Sequence, residues 1–241
     1  MKIRILGSAD MNSACFSASY LVNDRYLVDI PEGTCRELRR LGMQAEHIDA
    51  VLITHLHGDH TLGLPVWALK KTKMNPPPQS GGIRICADPM QKETLEHLIH
   101  GSFSTSFSEE KTGRFFRWIG ESRFDLDGLH VERIPVRHGI LPDCFGYLIS
   151  DGNGTVGFTG DTCLCDGVSH ILSAADLVFC DCDLITGNEK HMGIDDLSAL
   201  AEEYPNTRIV ASHLKDETRQ ALLQMQPNGI RIAADGEEYT V

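Results

Sequence analysis

The stretch Val51 to His60 reads Val-Leu-Ile-Thr-His-Leu-His-Gly-Asp-His, and it constrains the chain more than any other. Ala50 to Ile53 form a short apolar run of the kind that makes a buried strand, and Thr54 ends it. The next six positions hold three imidazoles and a carboxylate. In an extended turn, His55 and His57 point to the same side, whereas Asp59 and His60 follow a bend at Gly58 and can address a second centre; no helix is required. Imidazole and carboxylate donors suit Zn²⁺, Mn²⁺ or Fe. A polar surface loop is the plainer alternative, but so dense a set directly after a strand is specific for a metal site.

A dinuclear centre needs further donors, and later strands supply them at their ends. His138 follows the strand Leu129 to Val136 and precedes Cys144-Phe-Gly-Tyr-Leu-Ile; Asp161 follows Thr155 to Phe158 in Phe-Thr-Gly-Asp-Thr; His213 follows Arg208 to Ala211 in Ala-Ser-His-Leu. Each alone is more often a cap or a satisfied polar residue, but together and in this order they point to one site. His55, His57, Asp59 and His60 match the His-x-His-x-Asp-His signature of the metallo-β-lactamase superfamily, and the three later segments resemble its remaining motifs. The resemblance implies an α/β fold, a four-layer αββα sandwich with a dinuclear site at one edge. It implies metal 1 on His55, His57 and His138, metal 2 on Asp59, His60 and His213, and Asp161 bridging. Two divalent ions, zinc first and manganese or iron as alternatives, would outweigh the two carboxylates and leave a positive pocket. Bound metal can lower a water pKa from 15.7 to about 7, so a hydroxide nucleophile exists at neutral pH without a serine or cysteine.

The totals narrow the partner. The 241 residues favour one hydrolase domain over residues 1–241, large enough to bury about 70 to 75% of the unfolded surface. With 34 acids against 22 bases the net charge is −12, a poor footprint for gripping a long polyanion. A small, anionic substrate is the better expectation, with nucleic acid disfavoured, no membrane partner and a homodimer left open. Met1 to Gly7 alternates with charge rather than forming a leader, and no run approaches a membrane span. Eight cysteines scattered along the chain read as reduced thiols in a cytoplasmic protein.

Lys2 to Leu6, Ser19 to Val22 and Tyr26 to Ile30 read as a β-meander, with Asn23-Asp24 as a turn. Asp29 closes it before Pro31-Glu-Gly-Thr34, and Cys35 to Leu41 reads as a short helix. In the family resembled, an aspartate so placed supports the metal loop; an ordinary turn cap is the alternative. Val66 to Lys70 reads as a helix, Lys71 to Gly82 with its three prolines as a loop, and Met90 to His100 as an amphipathic helix whose His97 and His100 are not needed as ligands. Gly101 to Gly113 reads as a loop in which Phe103 and Phe107 either wall the site or, more simply, anchor to the core.

Between Asp161 and His213, His191 precedes a helix at Ile194 to Tyr204. It resembles the extra histidine of the branch containing the tRNA 3′-processing endonuclease RNase Z and the cyclic-phosphate phosphodiesterase of phosphonate use. There it protonates a leaving alkoxide, which an imidazolium near pKa 6.5 can do. Asp181 is placed to orient it. The short span from His138 to Asp161 has no room for the long arm of tRNA-cleaving members, and only Cys15 and Cys35 lie where the phosphonate enzyme carries a cysteine-rich zinc segment. A true β-lactamase is disfavoured by Asp161, which stands where several such enzymes use cysteine. Cys163-x-Cys165 and Cys180-x-Cys182 lack zinc-knuckle spacing and read as buried or idle thiols. The expectation is a dinuclear hydrolase of a small or cyclic phosphodiester, with Asp59 and His191 as its proton-transfer residues. A lactone or thioester hydrolase and a non-catalytic metal-binding sensor or scaffold are the rivals.

Overall fold

The computed structural model describes residues 1–73 and 81–241. Most of the expected proline-rich loop, residues 74–80, lies outside them.

Two seven-stranded sheets pack face to face. The first contains β1 (Lys2–Gly7), β2 (Ser19–Val22), β3 (Tyr26–Val28), β4 (Ala50–Leu52), β5 (Ile83–Cys86) and β6 (Phe116–Ile119), with β14 (Glu238–Thr240) beside β1. The second runs in the order β13 (Ile230–Ile232), β12 (Arg208–Ser212), β11 (Leu177–Asp181), β10 (Thr155–Phe158), β9 (Phe145–Ser150), β8 (Leu129–Pro135), β7 (Arg123–Leu126). The opening meander is as expected, β1 to β2 and β2 to β3 both antiparallel. From β3 through β6 the pairing is parallel.

Residue alternation assigns the layers. Along β2 to β4, Tyr20, Val22, Tyr26, Val28, Ala50 and Leu52 point into the inter-sheet core, where they meet Val156, Phe158, Leu177, Phe179 and Val210 of the second sheet. The intervening Leu21, Leu27, Val51 and Ile53 face outward under helices α1 (Thr34–Arg40), α3 (Leu64–Thr72) and α4 (Lys92–Ser102), which contribute Leu38, Trp67 and Leu95. On the far side Val178, Cys180, Ile209 and Ala211 meet α6 (Asp166–Ala174), α7 (Ile194–Glu203) and α8 (Asp216–Met225) through Ile171, Leu197 and Leu222. Both faces of each central strand are therefore buried, which is why these strands read as continuous apolar runs. The result is the expected four-layer αββα sandwich.

Several local expectations change. The metal loop contains one turn of helix, α2 (Gly58–Thr61), where none was required. The end of the expected Ser/Phe loop, Gly101 to Gly113, instead enters helix α5 (Glu109–Phe115), opened by the Ser108 hydroxyl accepting from the Lys111 amide at 3.3 Å. Phe107 is buried in the core under α4 and Phe103 packs against it, so these rings anchor rather than wall the site. His100 bonds to the Thr112 hydroxyl at 3.1 Å.

Candidate metal centre

Sheet topology alone brings the donors to one rim. β8 and β10 are both antiparallel to β9, and β10, β11 and β12 are mutually parallel, so all four end on the same side. His138, Asp161, Asp181 and His213 sit at or just beyond those ends. The carboxyl end of β4 meets this rim across the inter-sheet gap. There the Phe145 amide donates to the Thr54 carbonyl at 3.1 Å, and the Tyr147 hydroxyl to the Ile53 carbonyl at 2.8 Å. Gly160 makes the corner before Asp161: its φ is +61°, and a Cβ there would lie 2.8 Å from the Phe145 carbonyl oxygen and 3.0 Å from Thr54 Cβ.

The structure brings together all seven residues singled out as ligands, in two groups. His55, His57 and His138 face one another with Asp161; Asp59, His60 and His213 form the second group, and Asp161 joins His191 and His213 in a third overlapping set. The Asp161 carboxylate stands between the first two. Its Oδ2 lies 3.7 Å from His55 Nε2 and 3.3 Å from His213 Nε2, and its Oδ1 lies 3.3 Å from His60 Nε2. Asp59 Oδ2 is 3.7 Å from His60 Nε2 and 3.6 Å from His213 Nε2.

These separations fit donors that share a cation. Two ligand atoms each about 2.1 Å from one tetrahedral ion lie about 3.4 Å apart. Moreover, Nε2 of His55, His60 and His213 is buried with no hydrogen-bond partner among the described residues. A buried ring nitrogen without a partner is costly, and ligation of a cation is the compensation that three such atoms converging on one carboxylate permit.

The outer ring nitrogens are held in the matching tautomer. His60 Nδ1 donates to Asp29 Oδ2 at 2.8 Å, and His138 Nδ1 donates to the Lys190 carbonyl at 2.8 Å, because neither acceptor carries a proton. The Thr54 hydroxyl donates to Asp29 Oδ2 at 2.7 Å, so it accepts from His55 Nδ1 at 3.1 Å. Asp29 Oδ1 also receives the Thr54 amide at 2.8 Å. Asp29 is therefore the support of the loop, beyond a turn cap, and it steadies one imidazole of each group. Asp29 and His213 both have left-handed backbones, φ 59° and 55°, a strain of about 1 to 3 kcal/mol each of the kind that functional sites hold. Asp29→Asn keeps the shape but turns one acceptor into a donor. Metal titration of this variant is expected to show affinity about 10- to 100-fold weaker, with the fold retained by circular dichroism.

Burial and neighbouring charges act on these groups in opposite directions. Burial, reinforced by neighbouring His60, His57 and His138, holds the His55 imidazolium far below its ordinary pKa. For His60 and His213 burial acts the same way but is outweighed by Asp161 and the other carboxylates, and both are driven up. Asp59 is buried too, yet His213 and His60 bring its carboxyl down to about 2. A divalent cation held there would take the place of protons on His60 and His213.

His191 lies on the rim with its ring 4.6 Å from that of His138 and 5.4 Å from that of His213. Its Nδ1 donates to Asp181 Oδ2 at 2.9 Å, the same oxygen that receives the Thr162 amide at 2.9 Å. Burial disfavours the imidazolium, but the Asp181 contact more than offsets it and the pKa rises. An open cleft of about 500 Å³ faces the centre, lined by His57, Asp59, His138, His191 and His213 and also by Met11, Asn12, Asp183, Lys190 and Lys215. Sequence reasoning had not placed the last five there. The Asp181-x-Asp183 alternation at a strand exit was a readable signal for Asp183; nothing comparable marked Met11 or Asn12. The eight cysteines are free, and Cys163, Cys180 and Cys182 are buried. Among the described residues no metal-competent group contains a cysteine.

The profile of the family described as Anti-Pycsar protein Apyc1 matches residues 1–239. A ribonuclease Z of Mycobacterium bovis BCG is 24% identical over 164 residues, covering 63% of this chain and 57% of that protein. The chain thus spans a little over half the length of that relative. A solved structure of a diphosphatase from the PhnP family superposes with a TM-score of 0.77 at 19% identity, covering 100% of this chain and 97% of the other. Zn²⁺-bound PqqB from Methylobacterium extorquens superposes at 0.74 and 15% identity, over the whole of both chains. The architecture is the metallo-β-lactamase fold that the sequence resemblance implied.

Proposed function

The chain belongs to the Anti-Pycsar protein Apyc1 family, and from that premise and the geometry of its site we propose that it is a dinuclear metal-dependent phosphodiesterase acting on a small or cyclic phosphodiester. The observation that carries this reading is the Asp161 carboxylate set between two donor groups, with a hydrogen-bonded histidine on the rim. His55, His57 and His138 would hold one divalent ion, Asp59, His60 and His213 the other, and Asp161 both; zinc is the first choice for this donor set. Bound there, such ions polarise phosphoryl oxygens and bring a water to a reactive state near neutral pH.

The protein's own groups do the rest. Asp59 takes the proton of the attacking water. His191, its Nδ1 fixed by Asp181, presents Nε2 to the cleft and gives a proton to the departing alkoxide, which leaves poorly as an anion. The ribonuclease Z and diphosphatase names of the relatives support phosphorus–oxygen chemistry. A net charge of −12 supports a small substrate over a long nucleic acid. No helix among the described residues is long and apolar enough to cross a membrane, and a cytoplasmic enzyme with one hydrolase domain over residues 1–241 fits this reading.

Its test is a panel of bis-aryl phosphates, cyclic nucleotides, lactones and thioesters, run with protein reconstituted in zinc or manganese. Turnover confined to the phosphodiesters and abolished by chelation is the expected result. A preference for lactones or thioesters moves the chemistry to acyl transfer, and no hydrolysis by fully metallated protein removes the enzyme reading.

A further inference from the structure

The charged groups lining the cleft almost all have partners within the protein. Asp59 and Asp161 belong to the donor groups. Asp10 accepts from Asn12 and from the Ser13 hydroxyl. Asp183 Oδ2 is 2.6 Å from Lys215 Nζ, so those two charges cancel. Lys190 differs: its side chain is exposed, it lines the cleft, and among the described residues its ammonium forms no ion pair.

The ammonium is carried on a braced turn. Asn188 Oδ1 accepts from the amides of Lys190 at 2.7 Å and His191 at 3.1 Å, and the Asn188 amide donates to the His191 carbonyl at 2.9 Å. The Gly139 amide donates to the Glu189 carbonyl at 2.9 Å, and the Lys190 carbonyl receives His138 Nδ1. The lysine stem runs over Gly139, where φ is +57° and an added Cβ would come within 3.1 Å of Lys190 Cγ. The bare glycine thus leaves the bed on which the stem lies, and the backbone of the turn is tied to the donor His138 and continuous with His191.

We propose that Lys190 is a specificity-determining residue that binds a non-reacting anionic oxygen of the substrate at the cleft mouth, and so selects phosphodiesters over neutral esters on the same centre. This deepens the phosphodiesterase reading and rests on it. A neutral lactone or thioester offers that ammonium no charge, whereas a phosphodiester keeps one negative charge throughout binding. Because the ammonium is exposed, the contact is a charge-assisted hydrogen bond weakened by salt.

The test compares the zinc-loaded full chain with its Lys190→Ala and Lys190→Arg variants. KM and kcat are measured with bis(p-nitrophenyl) phosphate and with p-nitrophenyl acetate, at low and high salt. Lys190→Ala is expected to raise KM for the phosphodiester about three- to tenfold with a smaller change in kcat, to lower the phosphodiester-to-acetate ratio of kcat/KM, and to flatten the salt dependence. Lys190→Arg is expected to restore most of the KM. Inorganic phosphate binding by calorimetry, with metal content checked, reads the same contact without turnover, and affinity is expected to fall by a similar factor. An unchanged KM and phosphate affinity, or equal losses on both substrates, overturns the proposal. If wild-type protein hydrolyses no phosphodiester yet loses phosphate affinity on Lys190→Ala, the reaction assigned above fails while the anion contact stands.

Discussion

Asp161→Asn is expected to lower bound metal from two equivalents to one or fewer and to reduce hydrolysis by at least about a thousandfold. Asp161 is 3% exposed and approaches the inner nitrogens of His55, His60 and His213 within 3.3 to 3.7 Å. No other carboxylate stands between the two donor groups in this way among the described residues. The amide is isosteric but carries no charge, and one of its two heads can no longer ligate. It also removes part of the negative charge that offsets burial at His60 and His213, which lowers the pKa of both rings. The fold should survive, because Gly160 still makes the corner. Elemental analysis of the purified variant beside wild type checks the first half of the result, and turnover of bis(p-nitrophenyl) phosphate the second. Two full equivalents in the variant would show that the carboxylate is not shared.

His191→Ala should separate chemistry from metal binding. Its ring stands on the rim rather than within the two principal groups, and its Nδ1 is held by Asp181. We expect both metals to remain and turnover of substrates with alkyl leaving groups to fall by about a hundred- to ten-thousandfold. Esters of p-nitrophenol, whose anion leaves without a proton, should lose far less. Equal losses across leaving groups would mean that the ring positions substrate rather than delivering a proton; unchanged turnover would remove it from the reaction. The Asp181 carboxylate also lies 3.6 Å from His213 Nδ1, so substitution there would disturb a ligand as well and make a poorer test.

Much of this centre is legible in the sequence, for a physical reason. Donors that must meet at one rim have to sit where strands end, so His55, His138, Asp161 and His213 each come just beyond a strand legible in the sequence. Asp29 was a candidate support for the same reason, following β3 just ahead of Pro31-Glu-Gly-Thr34, with a turn cap as the alternative. What stayed hidden belongs to long-range geometry. Strand β9 (Phe145–Ser150) is masked by Gly146, which is there because a Cβ would lie 2.6 Å from Ile171 Cδ1 of the covering helix. Helix α8 lacks an unbroken apolar stripe, burying only Thr218 and Leu222. The one-turn helix at Gly58 is too short to leave a periodicity. Lys190 and Lys215 are ordinary surface lysines in sequence, and only the closing of β8, β11 and β12 on one rim sets them around a cleft.

In the proposed mechanism two cations are held by donor groups that share Asp161. Diffraction from crystals of the metal-loaded protein, with anomalous data at the zinc edge, addresses that directly. The predicted result is two peaks about 3.5 to 4 Å apart on either side of the Asp161 carboxylate, one among His55, His57 and His138 and one among Asp59, His60 and His213. A single peak at full zinc loading, or a metal bound away from Asp161, would contradict it.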